Sequence, residues 1–182
     1  MSFTRRHWLL GTLGSAAWAA IAAAQEHARQ SVEQPDTVRL EFLDPAAAAD
    51  LSVITERILP SDDGPGAKEA GAVFFIDRVL ATFDSDQQES YRTGLLELNR
   101  NRTKLFPESK DVASLSQEQQ IELMRSFEKS EFFEIIRTHT LLGFLGNPSY
   151  GGNRGMVGWK YIGFEDRMSW KPPFGYYDAE AR

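Results

Sequence analysis

The fold is decided by Ser130–Phe144, which reads SEFFEIIRTHTLLGF. Its apolar side chains recur at three- and four-residue spacings, the period of an α-helix. They are Phe132, Phe133, Ile135, Ile136, Leu141, Leu142 and Phe144. A helix this apolar is usually enclosed by others, so the pattern predicts the central helix of a helical domain, opened by Ser130.

Four more helices are predicted upstream of this one. Asp44 is suited to the N-cap of the first, with Pro45 at its first position and Pro60 beyond its end. The first two predicted helices span 45–59 and 67–83. The third is capped by Asp84 and Ser85 and ends at Leu105. The fourth follows Ser116 and Gln119 and is lined by Ile121, Leu123, Met124 and Phe127. No stretch alternates as a strand would, so we predict an all-α domain of about five helices over residues 44–182.

Composition excludes several classes of protein. The 182 residues are 42% hydrophobic and 25% charged, which is typical of a soluble globular chain. A net charge of −6 argues against nucleic-acid binding, which needs a basic surface. The chain contains no cysteine, so it forms no disulfide, thiolate nucleophile, iron–sulfur cluster or C-x-x-C-H haem attachment. Any redox chemistry must therefore belong to another chain.

Residues 1–24 have the layout of a signal peptide. Arg5 and Arg6 precede an apolar run over 8–24, which is short and weakly hydrophobic for a membrane-spanning helix. Ala22 and Ala24 supply the small side chains that signal peptidase accepts, which predicts cleavage before Gln25. The polar residues 25–43 are predicted to be a linker or extended arm.

The charged end of this leader resembles the twin-arginine export motif. Arg5 and Arg6 are followed, after one spacer, by Trp8 and Leu9. The alternatives are an ordinary secretory signal with two neighbouring arginines, or an uncleaved anchor. Because the twin-arginine route exports folded proteins, often with a cofactor inserted, its use by a chain with no evident cofactor site suggests export together with a partner.

Glycine and aromatic residues dominate the C-terminal part of the chain. Residues 146–178 contain seven glycines, three prolines and eight aromatic residues, and we expect no regular helix there. The aromatic side chains need surface to bury against, so this region is predicted either to wrap over the helices or to dock on another protein.

Candidate catalytic groups are few. His139 lies within the most apolar predicted helix and is interpreted as a packed structural histidine. Asp62 and Asp63 could in principle hold a hard cation, but capping and turn hydrogen bonds are the favoured role. The glycines of 151–158 match neither phosphate-loop pattern. No metal or cofactor site is predicted.

Two sequence segments resemble a known family. The first comprises 58–67, ILPSDDGPGA, with Phe75-Ile76-Asp77 behind it, and the second comprises 146–154, GNPSYGGNR, and 158–164, GWKYIGF. Together they resemble the gluconate 2-dehydrogenase subunit 3 family over about 45–165. The tail after Phe164 has no counterpart in the family pattern.

The resemblance implies a non-catalytic small subunit without bound cofactor. It implies two partners, an FAD-containing catalytic subunit and a cytochrome c subunit with haem c, in a periplasmic complex at the inner membrane that oxidises gluconate, glucose or other polyols. It also implies that this chain carries the signal of the twin-arginine translocase for the flavin subunit, which it escorts and stabilises, and that it takes no small-molecule substrate itself.

The candidate partner interface is the aromatic C-terminal region. Its residues are Tyr150, Asn153, Arg154, Trp159 and Tyr161. Aromatic residues and arginine concentrate binding energy at interfaces, although Tyr150 and Trp159 equally suit self-packing. A stand-alone periplasmic carbohydrate-binding module is an alternative, since the same residue types stack on sugars. A second is an enzyme acting through Asp62, Asp63 or Asp77.

Overall fold

A computed structural model describes residues 39–167 and 169 of the chain. These residues contain six α-helices and no strand, which confirms the predicted all-α class. The helices are α1 Pro45–Ile58, α2 Ala72–Ala81, α3 Gln88–Leu105, α4 Gln117–Arg125, α5 Glu131–Leu145 and α6 Val157–Ile162. Single 3₁₀ turns occur at Ser85–Gln87, Pro148–Tyr150 and Arg154–Met156. The predicted leader, most of the polar arm and the end of the aromatic C-terminal region lie outside the described residues.

The centre of the domain is α2. Eight of its ten residues are buried, and it packs most extensively against α5 and next against α1. The expectation that α5 is the central helix is therefore wrong: Leu141 and Leu142 of α5 are 39% and 47% exposed. The short α2 is surrounded by the rest of the domain, whereas several apolar side chains of α5, such as Leu141 and Leu142, lie on its outer surface. Within the described residues, no helix has the length and apolar character needed to cross a membrane.

Three predicted helix starts are confirmed by their hydrogen bonds. The Asp44 carboxylate accepts from the amides of Ala46 and Ala47, with Pro45 at the first helical position. Ser116 and Gln119 form a complete capping box. The Ser130 hydroxyl accepts from the amide of the third residue of α5. Each cap satisfies amides that the helix itself leaves unpaired.

The second predicted helix begins later than expected. Residues 67–71 form turns, and α2 starts at Ala72 because Gly71 adopts a left-handed conformation with φ of 66°. The helix ends at Ala81, which leaves Phe83 outside it and 59% exposed. Asp84 does not cap the next helix with its side chain, since it contacts His139 instead, and a 3₁₀ turn precedes α3.

Two further expectations are corrected. Ile121, predicted to line the inner face of α4, is 45% exposed, whereas Leu123 is fully buried. The C-terminal region also contains a regular helix, α6, where none was expected. Its formation depends on contacts with α5, described below, which local sequence does not reveal.

Candidate partner-binding surface

The two segments that carry the family resemblance meet in space. The amide of Arg154 donates to the carbonyl of Ala70 at 3.0 Å, which joins the second segment to the turn after the first. Tyr161 lies so close to Gly64 that a β-carbon there would overlap its ring. Sequence segments about 80 residues apart therefore form one structural unit.

Two glutamates organise the first segment. Glu56 Oε1 accepts from the amide and hydroxyl of Ser61, and its Oε2 accepts from the amide of Lys68. Glu69 Oε2 accepts from the amide of Gly66 and also contacts the Ser61 hydroxyl. The hydrogen bond with Ser61 lowers the pKa of Glu69. These contacts fix the loop, a role that sequence analysis missed because Glu56 and Glu69 flank the motif.

Asp62 and Asp63 lie exposed at the tip of this loop. The side-chain hydrogen bonds that hold the loop are accepted by Glu56 and Glu69. The two aspartates, which were expected to make capping and turn hydrogen bonds, do not shape it. The described residues contain no group of three or more His, Asp or Glu side chains arranged to hold a metal ion.

Asn153 organises the second segment from inside the protein. Its side chain is fully buried, and its Nδ2 donates to the carbonyl of Gly146 at 2.9 Å. Its Oδ1 accepts from the buried amide of Gly158, also at 2.9 Å, at the start of α6. Its backbone is left-handed, with φ of 45°, a conformation that Asn tolerates better than most residues. Asn153 therefore shapes the segment from beneath its surface.

Arg154 and Trp159 also contact their own chain. The Arg154 guanidinium lies 3.5 Å from the centroid of the Phe74 ring, in cation–π geometry. The Trp159 indole is 9% exposed and donates from Nε1 to the carbonyl of Leu145 at 2.6 Å. The Phe164 ring packs on Trp159 with centroids 4.9 Å apart. Together they attach the C-terminal region to α2 and α5.

Tyr150 and Tyr161 are the predicted interface residues that face outward. They are 47% and 59% exposed. Tyr150 packs edge-on against the exposed ring of Phe83, with centroids 5.6 Å apart. Phe83 was predicted only as part of a helix, and its position beside Tyr150 adds it to the candidate surface. We call Phe83, Tyr150 and Tyr161 the outward aromatic residues.

His139 is enclosed in a hydrogen-bonded chain of side chains. Its Nδ1 is 3.0 Å from the hydroxyl of Tyr91, and its Nε2 is 3.2 Å from Asp84 Oδ2. The imidazole also stacks on the Tyr91 ring. Burial lowers the pKa of His139 despite the nearby Asp84 carboxylate, and burial raises the pKa of Tyr91. This geometry agrees with the interpretation of a packed structural histidine.

Asp77, considered above as a candidate acid, anchors the N-terminal arm. Its buried carboxylate accepts from three consecutive amides, those of Glu41, Phe42 and Leu43, at 2.8 to 3.0 Å. Arg78 next to it pairs with Glu41 at 3.7 Å. The observed partners of the Asp77 carboxylate are all backbone amides of the same chain. Asp77 therefore has a structural role.

The family model of gluconate 2-dehydrogenase subunit 3 matches residues 45–166. This range starts at the first residue of α1, extends past α6 and includes both motif segments. Comparison of the chain with curated proteins and with solved structures gave no match.

Proposed function

The chain belongs to the gluconate 2-dehydrogenase subunit 3 family, and from that premise we propose that it is the non-catalytic small subunit of a periplasmic flavoprotein–cytochrome c dehydrogenase. In this proposal the chain is needed for twin-arginine export, maturation and stability of the FAD-containing catalytic subunit. FAD and haem c belong to the partner subunits. The observation that carries the proposal is the family match over the whole helical domain, which indicates a subunit of a multi-subunit dehydrogenase.

The arrangement of polar groups supports an accessory role. The Asp77 carboxylate accepts from three backbone amides, and the two ring nitrogens of His139 lie within hydrogen-bond distance of Tyr91, which is buried, and Asp84, which is half-buried. These groups brace the fold. Asp62 and Asp63 lie exposed at the tip of a loop whose hydrogen bonds come from other residues. Of the residues that could do acid–base work, Asp77 and His139 are thus placed where they shape the domain.

The export part of the proposal rests on the leader. Arg5 and Arg6, with Trp8 and Leu9 behind them, form the twin-arginine-like motif, and Ala22 and Ala24 form the cleavage site. The flavin subunit is expected to cross the membrane bound to this chain. Substitution of both arginines by lysine preserves the charge and removes the arginine pair.

Co-expression of the full chain with its flavin subunit tests this directly. With the native leader, FAD-loaded dehydrogenase activity should accumulate in the periplasm. The Arg5→Lys/Arg6→Lys chain should leave the flavin subunit in the cytoplasm. An Arg29→Lys/Arg39→Lys chain, altered twice in the predicted polar arm, serves as the matched control. Active flavin subunit in the periplasm of cells lacking this chain would contradict the proposal.

The interface part of the proposal concerns the outward aromatic residues. Tyr150, Tyr161 and Phe83 present large rings to solvent, while Asn153 and Trp159 hold the segment beneath them. Exposed aromatic side chains are the usual anchors of a buried interface. We therefore assign direct contact with the flavin subunit to the tyrosines and a supporting role to Asn153, Arg154 and Trp159.

Alanine substitution separates these roles. Tyr161→Ala should weaken binding of the flavin subunit by about 2 kcal/mol, as expected for a hot spot, and so reduce its co-purification. The free energy of unfolding of the free chain should change little. Trp159→Ala should weaken it through loss of stability. Leu96→Ala, at a 60% exposed site on α3, is the control. Equal retention of the flavin subunit by Tyr161→Ala and Leu96→Ala would argue against the interface.

Calorimetry distinguishes the alternative of a carbohydrate-binding module. Titration of the isolated chain with gluconate, glucose and sorbitol should give no binding heat if the chain is a scaffold. Saturable heat that Tyr161→Ala abolishes would favour sugar binding by this chain itself.

A further inference from the structure

Three leucines form an exposed stripe on the last part of α5. Leu141, Leu142 and Leu145 are 39%, 47% and 40% exposed. Their spacing of three and four residues places them side by side on the helix. The opposite face of the same helix, which includes Gly143 and Phe144, is buried against the rest of the domain. We call these three residues the leucine stripe.

The last packed rings of the described chain are linked to this stripe. Trp159 donates its indole hydrogen bond to the carbonyl of Leu145, the last residue of the stripe. Phe164 packs on Trp159, and its amide donates to the Trp159 carbonyl at 2.8 Å. The C-terminal tail, residues 168–182, therefore begins four residues after Phe164, which is joined to the last residue of the stripe through Trp159.

The tail has the composition and the reach to cover the stripe. Its aromatic residues are Trp170, Phe174, Tyr176 and Tyr177, and its two basic and two acidic residues cancel. At about 3.3 Å per extended residue, the ten residues from Arg167 to Tyr177 can span roughly 33 Å. The stripe extends over about 6 Å of helix, at 1.5 Å per residue.

We propose that the C-terminal tail packs its aromatic side chains on the leucine stripe of the same molecule. Contact removes apolar surface from water on both sides, and aromatic side chains contribute the largest area per residue. Because the tail is covalently attached, it meets the stripe at a high effective concentration and loses little translational freedom on docking. This inference does not depend on the proposed dehydrogenase function.

Fluorescence of Trp170 in the full chain tests the contact. The difference between the native chain and Trp170→Phe isolates its emission from that of the other tryptophans. We expect this emission at shorter wavelength, and severalfold less quenched by acrylamide, than that of a free peptide spanning 168–182. Leu142→Asp should move both values to those of the peptide, and Leu96→Asp should leave them unchanged.

Different results are expected if a second copy of the chain or the flavin subunit, rather than the tail, covers the stripe. Trp170 emission equal to that of the peptide in the native chain overturns the proposal. If sedimentation then shows a dimer that Leu142→Asp dissociates, the stripe binds a second copy. If Trp170 becomes protected only when the flavin subunit is added, the stripe or tail belongs to that interface. Should Leu142→Asp fail to fold, truncation after Arg167 provides the second test: dye binding to exposed apolar surface should rise, and unchanged dye binding overturns the proposal.

Discussion

Replacing Asn153 by alanine should destabilise the domain because one buried and one half-buried backbone group would lose their partners. These are the amide of Gly158 and the carbonyl of Gly146, both now bonded to the Asn153 side chain at 2.9 Å. An unpaired buried polar group costs about 1–3 kcal/mol, so the pair accounts for about 3 kcal/mol. Alanine would also be held at a positive φ, which adds about 1 kcal/mol. The expected total is about 4 kcal/mol.

The assay is urea unfolding of the free chain followed by far-UV circular dichroism. In thermal unfolding, a loss of this size corresponds to roughly 8–16 °C in Tm for a protein of this length. Asn153→Gly should be about 1 kcal/mol less destabilising than Asn153→Ala, because glycine adopts the left-handed conformation without strain. Asn147→Ala is the matched control, since the Asn147 side chain is exposed and accepts a local bond from the amide of Ser149, two residues ahead.

The reasoning fails if Asn153→Ala unfolds within about 1 kcal/mol of the native chain, the range expected for loss of an exposed cap such as that of Asn147. It also fails in part if the Gly and Ala variants are equally stable, because the backbone contribution would then be absent. A large loss has a practical consequence: weakened partner binding by Asn153 variants would report on folding rather than on direct contact.

Buried contacts give three further predictions. Asp77→Ala removes the acceptor of three backbone amides and should lower the free energy of unfolding by about 3 kcal/mol. Asp50→Ala removes the acceptor of one amide and should lower it by about 1 kcal/mol. Equal losses for the two variants in urea titrations would contradict this prediction. The pKa of His139 is lowered on folding, so the unfolded chain binds a proton first as pH falls, and stability should decrease below about pH 6.5 by up to about 1.4 kcal/mol per pH unit. An identical pH dependence in His139→Gln would exclude His139 as the cause. Gly158→Ala would place a β-carbon in overlap with the Phe144 carbonyl oxygen. It should lower the free energy of unfolding by about 1–3 kcal/mol by forcing α6 away from α5. An unchanged thermal unfolding transition would contradict this prediction.

Helix caps were predictable from sequence because their determinants are local. Asp44, Ser116 and Ser130 bond to amides two or three residues ahead, and each was identified from its residue type and spacing. The start of α2 was not predictable in this way. Gly71 is left-handed and lies directly against the Arg154 side chain, a contact across 83 residues.

The candidate site was predictable as a region but not residue by residue. Asn153 and Tyr161 lie in the same motif segment, and both residue types occur in interfaces and in protein interiors. Only the tertiary structure shows that Asn153 is directed inward to Gly146 and Gly158, while Tyr161 remains exposed. Glu56 and Glu69 were missed because they flank the motif and bond largely to backbone amides, which carry no sequence signal.

The attachment of the N-terminal arm to Asp77 determines how tension would enter the domain. In the described part of the chain, residues 39–43 lead into α1, and the amides of residues 41–43 bond to that one carboxylate. A pull on the leader would therefore be transmitted through these three bonds, and through the ion pair between Glu41 and Arg78, directly to α2. Tension on the arm would thus reach the most buried helix of the domain first, and Leu43, which is 5% exposed, ties the arm to the same core.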